Sequence, residues 1–120
     1  MSTLKVTNIQ ATGETASRAV SGVAAAWCSF NGTGTVAIQD SINAASLTDS
    51  ATGDYLVNFT NSMSNGGYVG NVTANPSGYA GAYGGSDSRS TGSLGTKIVD
   101  TSNTDKDSNY IGASAHGDLA

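Results

Sequence analysis

The chain has 120 residues, of which 38% are hydrophobic, 7% aromatic and 12% charged, enough for one domain around a thin core and too short to set a catalytic domain beside a binding domain. Its net charge is −4, and the cations Lys5, Arg18, Arg89, Lys97 and Lys106 are scattered singly, which excludes the clustered basic footprint that releases counterions from nucleic acid. No run approaches the ~18 apolar residues of a membrane helix, and Met1-Ser-Thr-Leu-Lys-Val lacks the apolar stretch of a secretory signal, so membrane insertion is not expected.

Residues 1–22 read as an extended arm: apart from a short apolar alternation at Leu4 and Val6, the segment is polar, and it is expected to attach the domain to other proteins. The domain proper is expected over 23–120. Helical periodicity is absent, because glycines interrupt nearly every window of helix length. Strands are predicted instead at Trp27–Phe30, Thr35–Ile42, Ala45–Thr48, Tyr55–Thr60, Tyr68–Ala74, Lys97–Thr101 and Tyr110–Gly117, from alternations such as Val36/Ile38 and Tyr55/Val57/Phe59. Turn residues fall between them at Asn31-Gly32-Thr33-Gly34, Ser50-Ala51-Thr52-Gly53-Asp54 and Ser64-Asn65-Gly66-Gly67, a spacing that implies a meander. The expected fold is all-β, a small antiparallel sandwich-like domain behind an N-terminal arm. Its expected core is Trp27, Phe30, Val36, Ile38, Tyr55, Val57 and Phe59, with the lone cysteine, Cys28, as a small buried hydrophobe.

Gly, Ser, Thr and Asn fill 57 of the 120 positions. Such short side chains bury little apolar area against a backbone ordering cost of about 1–2 kcal/mol per residue. This predicts that other copies of the chain supply part of the burial, as a homo-oligomer. Residues 75–95 are expected to form a long Gly/Ser/Tyr-rich loop. Tyr79 and Tyr83 give contact area at low entropic cost, and with Arg89 they are candidates for contact with a partner surface; a solvated connector between strands and subunit contacts packed by the tyrosines are the alternatives.

Catalytic and metal chemistry find little footing. His116 is the single histidine and Glu14 the single glutamate; no nucleophile elbow accompanies the former and no partner carboxylate is fixed beside the latter, so no catalytic residue is assigned. Asp105-Lys106-Asp107-Ser108-Asn109 begins like a calcium loop, but Tyr110 stands where an EF-hand needs glycine and His116 where it needs the bidentate glutamate. The reading is a solvated polar loop, with a looser structural calcium site as the alternative; no metal ligand is assigned and no cofactor is expected.

Two segments, Ala26-Trp27-Cys28-Ser29-Phe30-Asn31-Gly32-Thr33-Gly34-Thr35-Val36-Ala37-Ile38 and Asp49-Ser50-Ala51-Thr52-Gly53-Asp54-Tyr55-Leu56-Val57-Asn58-Phe59, resemble a module of bacteriophage tail fibre proteins. Such modules pair Trp-x-x-Phe-Asn-Gly-Thr-Gly with Gly-Asp-Tyr-x-Val-x-Phe and often start with a stretch similar to Ser2-Thr3-Leu4-Lys5-Val6. The likeness covers residues 1–74 and is loose beyond them; Cys28 stands where the module more often has a β-branched residue. It implies a non-enzymatic virion structural protein, a trimeric tail fibre or spike component on the particle surface. Its arm would meet other virion proteins, and its domain, with Tyr79, Tyr83 and Arg89 as the host-contact candidates, a host surface glycan or protein. A capsid decoration or head-fibre protein is the alternative.

Overall fold

The computed structural model describes residues 1–10, 12, 13, 15, 18–75, 79–83 and 89–120, and of 18, 19, 21 and 79–83 the backbone alone. The fold is an all-β sandwich. In the arm, β1 (Asn8–Ile9) pairs antiparallel with β2 (Arg18–Ala19), and a single 3-10 turn at Val20–Gly22 leads into the domain. Eight strands follow: β3 (Ala24–Asn31), β4 (Ala37–Ile42), β5 (Ala44–Ala51), β6 (Asp54–Phe59), β7 (Val69–Asn75), β8 (Tyr79–Tyr83), β9 (Ser93–Asp100) and β10 (Tyr110–His116). They build two antiparallel four-stranded sheets, ordered β4-β3-β10-β7 and β5-β6-β9-β8.

This connectivity corrects the expected meander. Among the eight sandwich strands, β3–β4, β5–β6 and β8–β9 are consecutive partners within a sheet, and the other connections between them pass to the opposite sheet. β4 passes to β5 through one residue, Asn43, at φ 57°, a left-handed conformation that asparagine adopts more readily than most residues. The Asn43 amide donates to Ala25 O and Asn61 O, and its Oδ1 accepts from Asn61 N at 2.7 Å. The corner is thereby tied to β3 on one side and to the end of β6 on the other.

Alternation fills the space between the sheets. Ala26, Cys28 and Phe30 of β3 and Ile111, Ala113 and Ala115 of β10 point inward, to meet Tyr55 and Val57 of β6 and Leu94, Thr96 and Ile98 of β9; Met63 and Tyr68 close one end. Of the expected core, Phe30, Tyr55 and Val57 are buried, while Val36, Ile38 and Phe59 are half-buried against the cluster. Trp27 is a correction. It lies between the inward-facing Ala26 and Cys28, and the two-residue period therefore sends the indole to the outer face of its sheet, cross-strand from Ile42 and Ser114.

The expected 75–95 loop is also corrected, since its Tyr79–Tyr83 segment is the edge strand β8, in register with Asp100, Val99, Ile98 and Lys97 of β9. Its Tyr-Ala-Gly-Ala-Tyr run lacks the β-branched residues that signal a strand; backbone pairing with β9 holds it. The side chains of Tyr79 and Tyr83 lie outside the described residues.

Candidate trough on the outer sheet face

The segments on which the family resemblance rests meet at one end of the sandwich. The Phe30 and Tyr55 rings pack edge to face with centroids 5.4 Å apart. The Tyr55 hydroxyl reaches both Gly32 O, at 2.8 Å, and Asp107 Oδ1, at 2.5 Å. Gly32 has no alternative here, because a Cβ on it would come within 2.6 Å of Tyr55 Oη. Asp107 Oδ1 also accepts from Gly53 N at 2.9 Å, and Gly53, at φ 68°, would drive a Cβ to 2.6 Å from Ile98 O. The 105–109 run is therefore more than a solvated loop: its Asp107 joins the β3–β4, β5–β6 and β9–β10 connections. Asp105 instead pairs with Lys97 at 2.9 Å. Among the described residues, no three His, Cys, Asp or Glu side chains gather to hold a metal ion.

Titratable groups in this core are held neutral. Burial pushes the Cys28 thiol up to about 11, and burial followed by the Asp107 carboxylate pushes the Tyr55 phenol well above its ordinary range. Neither group has the depressed pKa of a nucleophile or the near-neutral one of a general base. His116 faces outward on β10, its Nε2 3.5 Å from Ser114 Oγ, and Glu14 lies outside the described residues.

The outer face of the β4-β3-β10-β7 sheet carries a different kind of arrangement. A trough of about 270 Å³ runs over β3, β10 and β7, lined by Trp27 and Ser29, by Tyr110, Gly112 and Ser114, and by Asn71 and Thr73. Register explains the set. Gly112 lies between Ser29 and Thr73, and Ser114 between Trp27 and Asn71, so all of these side chains emerge on one face. Gly112 forms the floor. A Cβ there would meet Thr73 Oγ1 at 2.9 Å, Tyr110 Oη at 3.5 Å and Tyr110 Cε1 at 3.9 Å, which shows the Tyr110 ring leaning along β10 across the glycine. Tyr110 remains 44% exposed, so the ring covers bare backbone on one side and meets solvent on the other. Beside the trough, Ser29 Oγ donates to Gln39 Oε1 at 3.2 Å, and Asp40 pairs with Ser29 across the strands.

Of the residues expected to contact a host, Arg89 is engaged within the chain. Its guanidinium carbon lies 5.5 Å from the Tyr68 ring centroid, and Nη1 donates to Tyr68 O at 3.3 Å. The trough was missed in the sequence because three of its strands come from distant segments, and because Trp27 reads as core until the inward phase of β3 is known. The signal that could have found it is the Tyr110-x-Gly112-x-Ser114 alternation, in which an aromatic, a glycine and a hydroxyl share one face. Comparison with family models, with curated proteins and with solved structures finds no match to this chain.

Proposed function

We propose that the chain is a non-enzymatic structural module of a bacteriophage virion, a tail fibre or spike component that takes part in host attachment. The observation that carries this reading is the meeting of Phe30, Gly32 and Tyr55, residues from the two sequence segments that resemble the tail fibre module. These residues act on one another in the fold, which gives the resemblance a physical basis beyond a string of shared letters. In this reading the module works as a homo-oligomer, with a trimer implied by the resemblance alone. The arm, whose Leu4, Val6 and Ile9 are exposed, attaches it to other virion proteins.

Immunogold labelling of virions whose genome encodes the chain, using antibodies to the purified protein, tests this. Label on the tail or its fibres is the expected result. Label confined to the head would replace the reading with a capsid decoration or head-fibre protein, and unlabelled particles would overturn both.

A further inference from the structure

The outer-face trough has a chemistry of its own. Its walls are two aromatic rings and its rims short hydroxyl and amide side chains, with no charged side chain in the lining. Hydroxyls and amides both donate and accept hydrogen bonds, so they match a ligand that offers both at closely spaced positions. The exposed Tyr110 ring face, laid over Gly112, suits a flat apolar surface such as the C–H face of a sugar ring, which an amphipathic aromatic can cover while its hydroxyl stays wet. Tyr110 and Ser114, the partner of Trp27, are four residue steps apart on β10, a backbone span of roughly 13 Å at ~3.3 Å per residue. The Tyr110 ring, leaning over Gly112, takes up part of that span, so the two aromatics bracket a short ligand.

Charge narrows the class further. Asp40 is cross-strand from Ser29 at the trough's flank and the chain carries −4, so an anionic ligand is repelled. The volume, about 270 Å³, lies just below the ~300–1,000 Å³ of ligand clefts, which fits a ligand of about one sugar unit.

We propose that this trough binds a neutral saccharide, with one sugar ring laid on Tyr110, Trp27 closing the far side, and Asn71, Thr73 and Ser114 bonding its hydroxyls. The proposal deepens the attachment reading and rests on it for its biological sense, since a surface glycan is then what the module grips.

Trp27 is the single tryptophan, so its emission reports on the trough directly. The full chain would be titrated with the methyl glycosides of glucose, galactose, mannose, rhamnose and N-acetylglucosamine, with sialic acid as the anionic control. At least one neutral glycoside should give a saturable emission change with Kd on the order of 1 mM, as befits so small a ligand. Sialic acid should give none. Tyr110→Ala and Asn71→Ala should each weaken binding by about fivefold or more while leaving the thermal midpoint within about 2 °C of the parent.

Absence of saturation by every neutral glycoside up to about 100 mM would overturn the proposal. So would equal response to sialic acid, or unchanged affinity in Tyr110→Ala. Protection of Trp27 from acrylamide quenching that grows with protein concentration would also overturn it, by showing that a second copy covers the face. Labelled virions without glycoside binding would sink this inference alone, whereas glycoside binding without virion labelling would sink the attachment reading alone.

Discussion

The buried Tyr55 phenol has one proton and two acceptors, Gly32 O and Asp107 Oδ1, and its removal would leave both with less than they need. Tyr55→Phe keeps the ring against Phe30 and deletes only the oxygen, so its cost isolates the polar part of the contact. An expected loss of about 1–3 kcal/mol would appear as a lower urea midpoint at unchanged slope; an unchanged midpoint would show that the Tyr55 hydroxyl contributes nothing to holding the loops. The same core predicts the response to alkali. Cys28, raised from 9.0 to about 11, and Tyr55, raised further from 10.0, are both neutral in the fold and ionise more easily when unfolded. Their contribution is complete below pH 9 and declines as pH rises through the unfolded values towards the folded ones. Urea midpoints should thus hold steady up to about pH 8.5 and then fall. Cys28→Ser should flatten the part of that fall between pH 9 and 11, which for a two-unit shift is worth on the order of 2 kcal/mol. A midpoint indifferent to pH over this window would contradict the burial of both groups.

At the scale of the elements, the corner at Asn43 joins the two sheets at one flank, and its backbone conformation and its side chain can be separated by substitution. Asn43→Gly keeps access to positive φ and loses the three hydrogen bonds, whereas Asn43→Ala loses the bonds and adds strain at φ 57°. Alanine should therefore be the more destabilising, by about 1 kcal/mol over glycine, and thermal melts of the two variants would show the order; the reverse order would assign the corner to packing alone. Asn43 also marks where sequence reading stops. Strands were legible wherever apolar residues alternate, as in Tyr55/Val57/Phe59, because the two-residue period is local. Their partners were not, because Asn43 reads as an ordinary turn residue and nothing local says that it carries the chain from one sheet to the other. β8 was illegible for the opposite reason: it pairs with β9, and the Ala-Gly-Ala between its two tyrosines dilutes its own strand signal. Trp27 was identified as a large apolar anchor on size, while its direction depends on the phase of β3, which Ala26, Cys28 and Phe30 set by pointing inward. The family resemblance picked out residues that hold the fold; of the trough residues, Trp27, Ser29, Asn71 and Thr73 fall within the stretch it covers, and Tyr110, Gly112 and Ser114 fall where it is loose.

The molecule as a whole is long for its size, 45 × 28 × 25 Å with a radius of gyration of 15.7 Å, against about 14 Å for a compact chain of this length. Its interior relies on few large side chains, and several apolar ones remain outside: Ile42 and Val69 on the strand edges, and Val20, Val23 and Leu119 around a pocket of about 320 Å³ at the foot of the sandwich, where the arm enters. Exposed apolar residues are ordinary singly and informative when grouped. Here they gather at the end from which the arm, with Leu4 at 83% exposure, extends. In the proposed assembly these surfaces are covered, and covering them stabilises the folded state by mass action. Thermal midpoints should then rise with protein concentration over a hundredfold range (about 1 to 100 μM), and light scattering should show the parent associating over the same range. A chain lacking residues 1–22 should keep its β-sheet spectrum, because β3 to β10 form the sandwich without the arm, but should lose the concentration dependence and fail to enter virions. If the shortened chain still associates and still incorporates, the arm has no part in attachment; if the parent stays monomeric with a fixed midpoint, the thin core suffices by itself and the assembly reading fails.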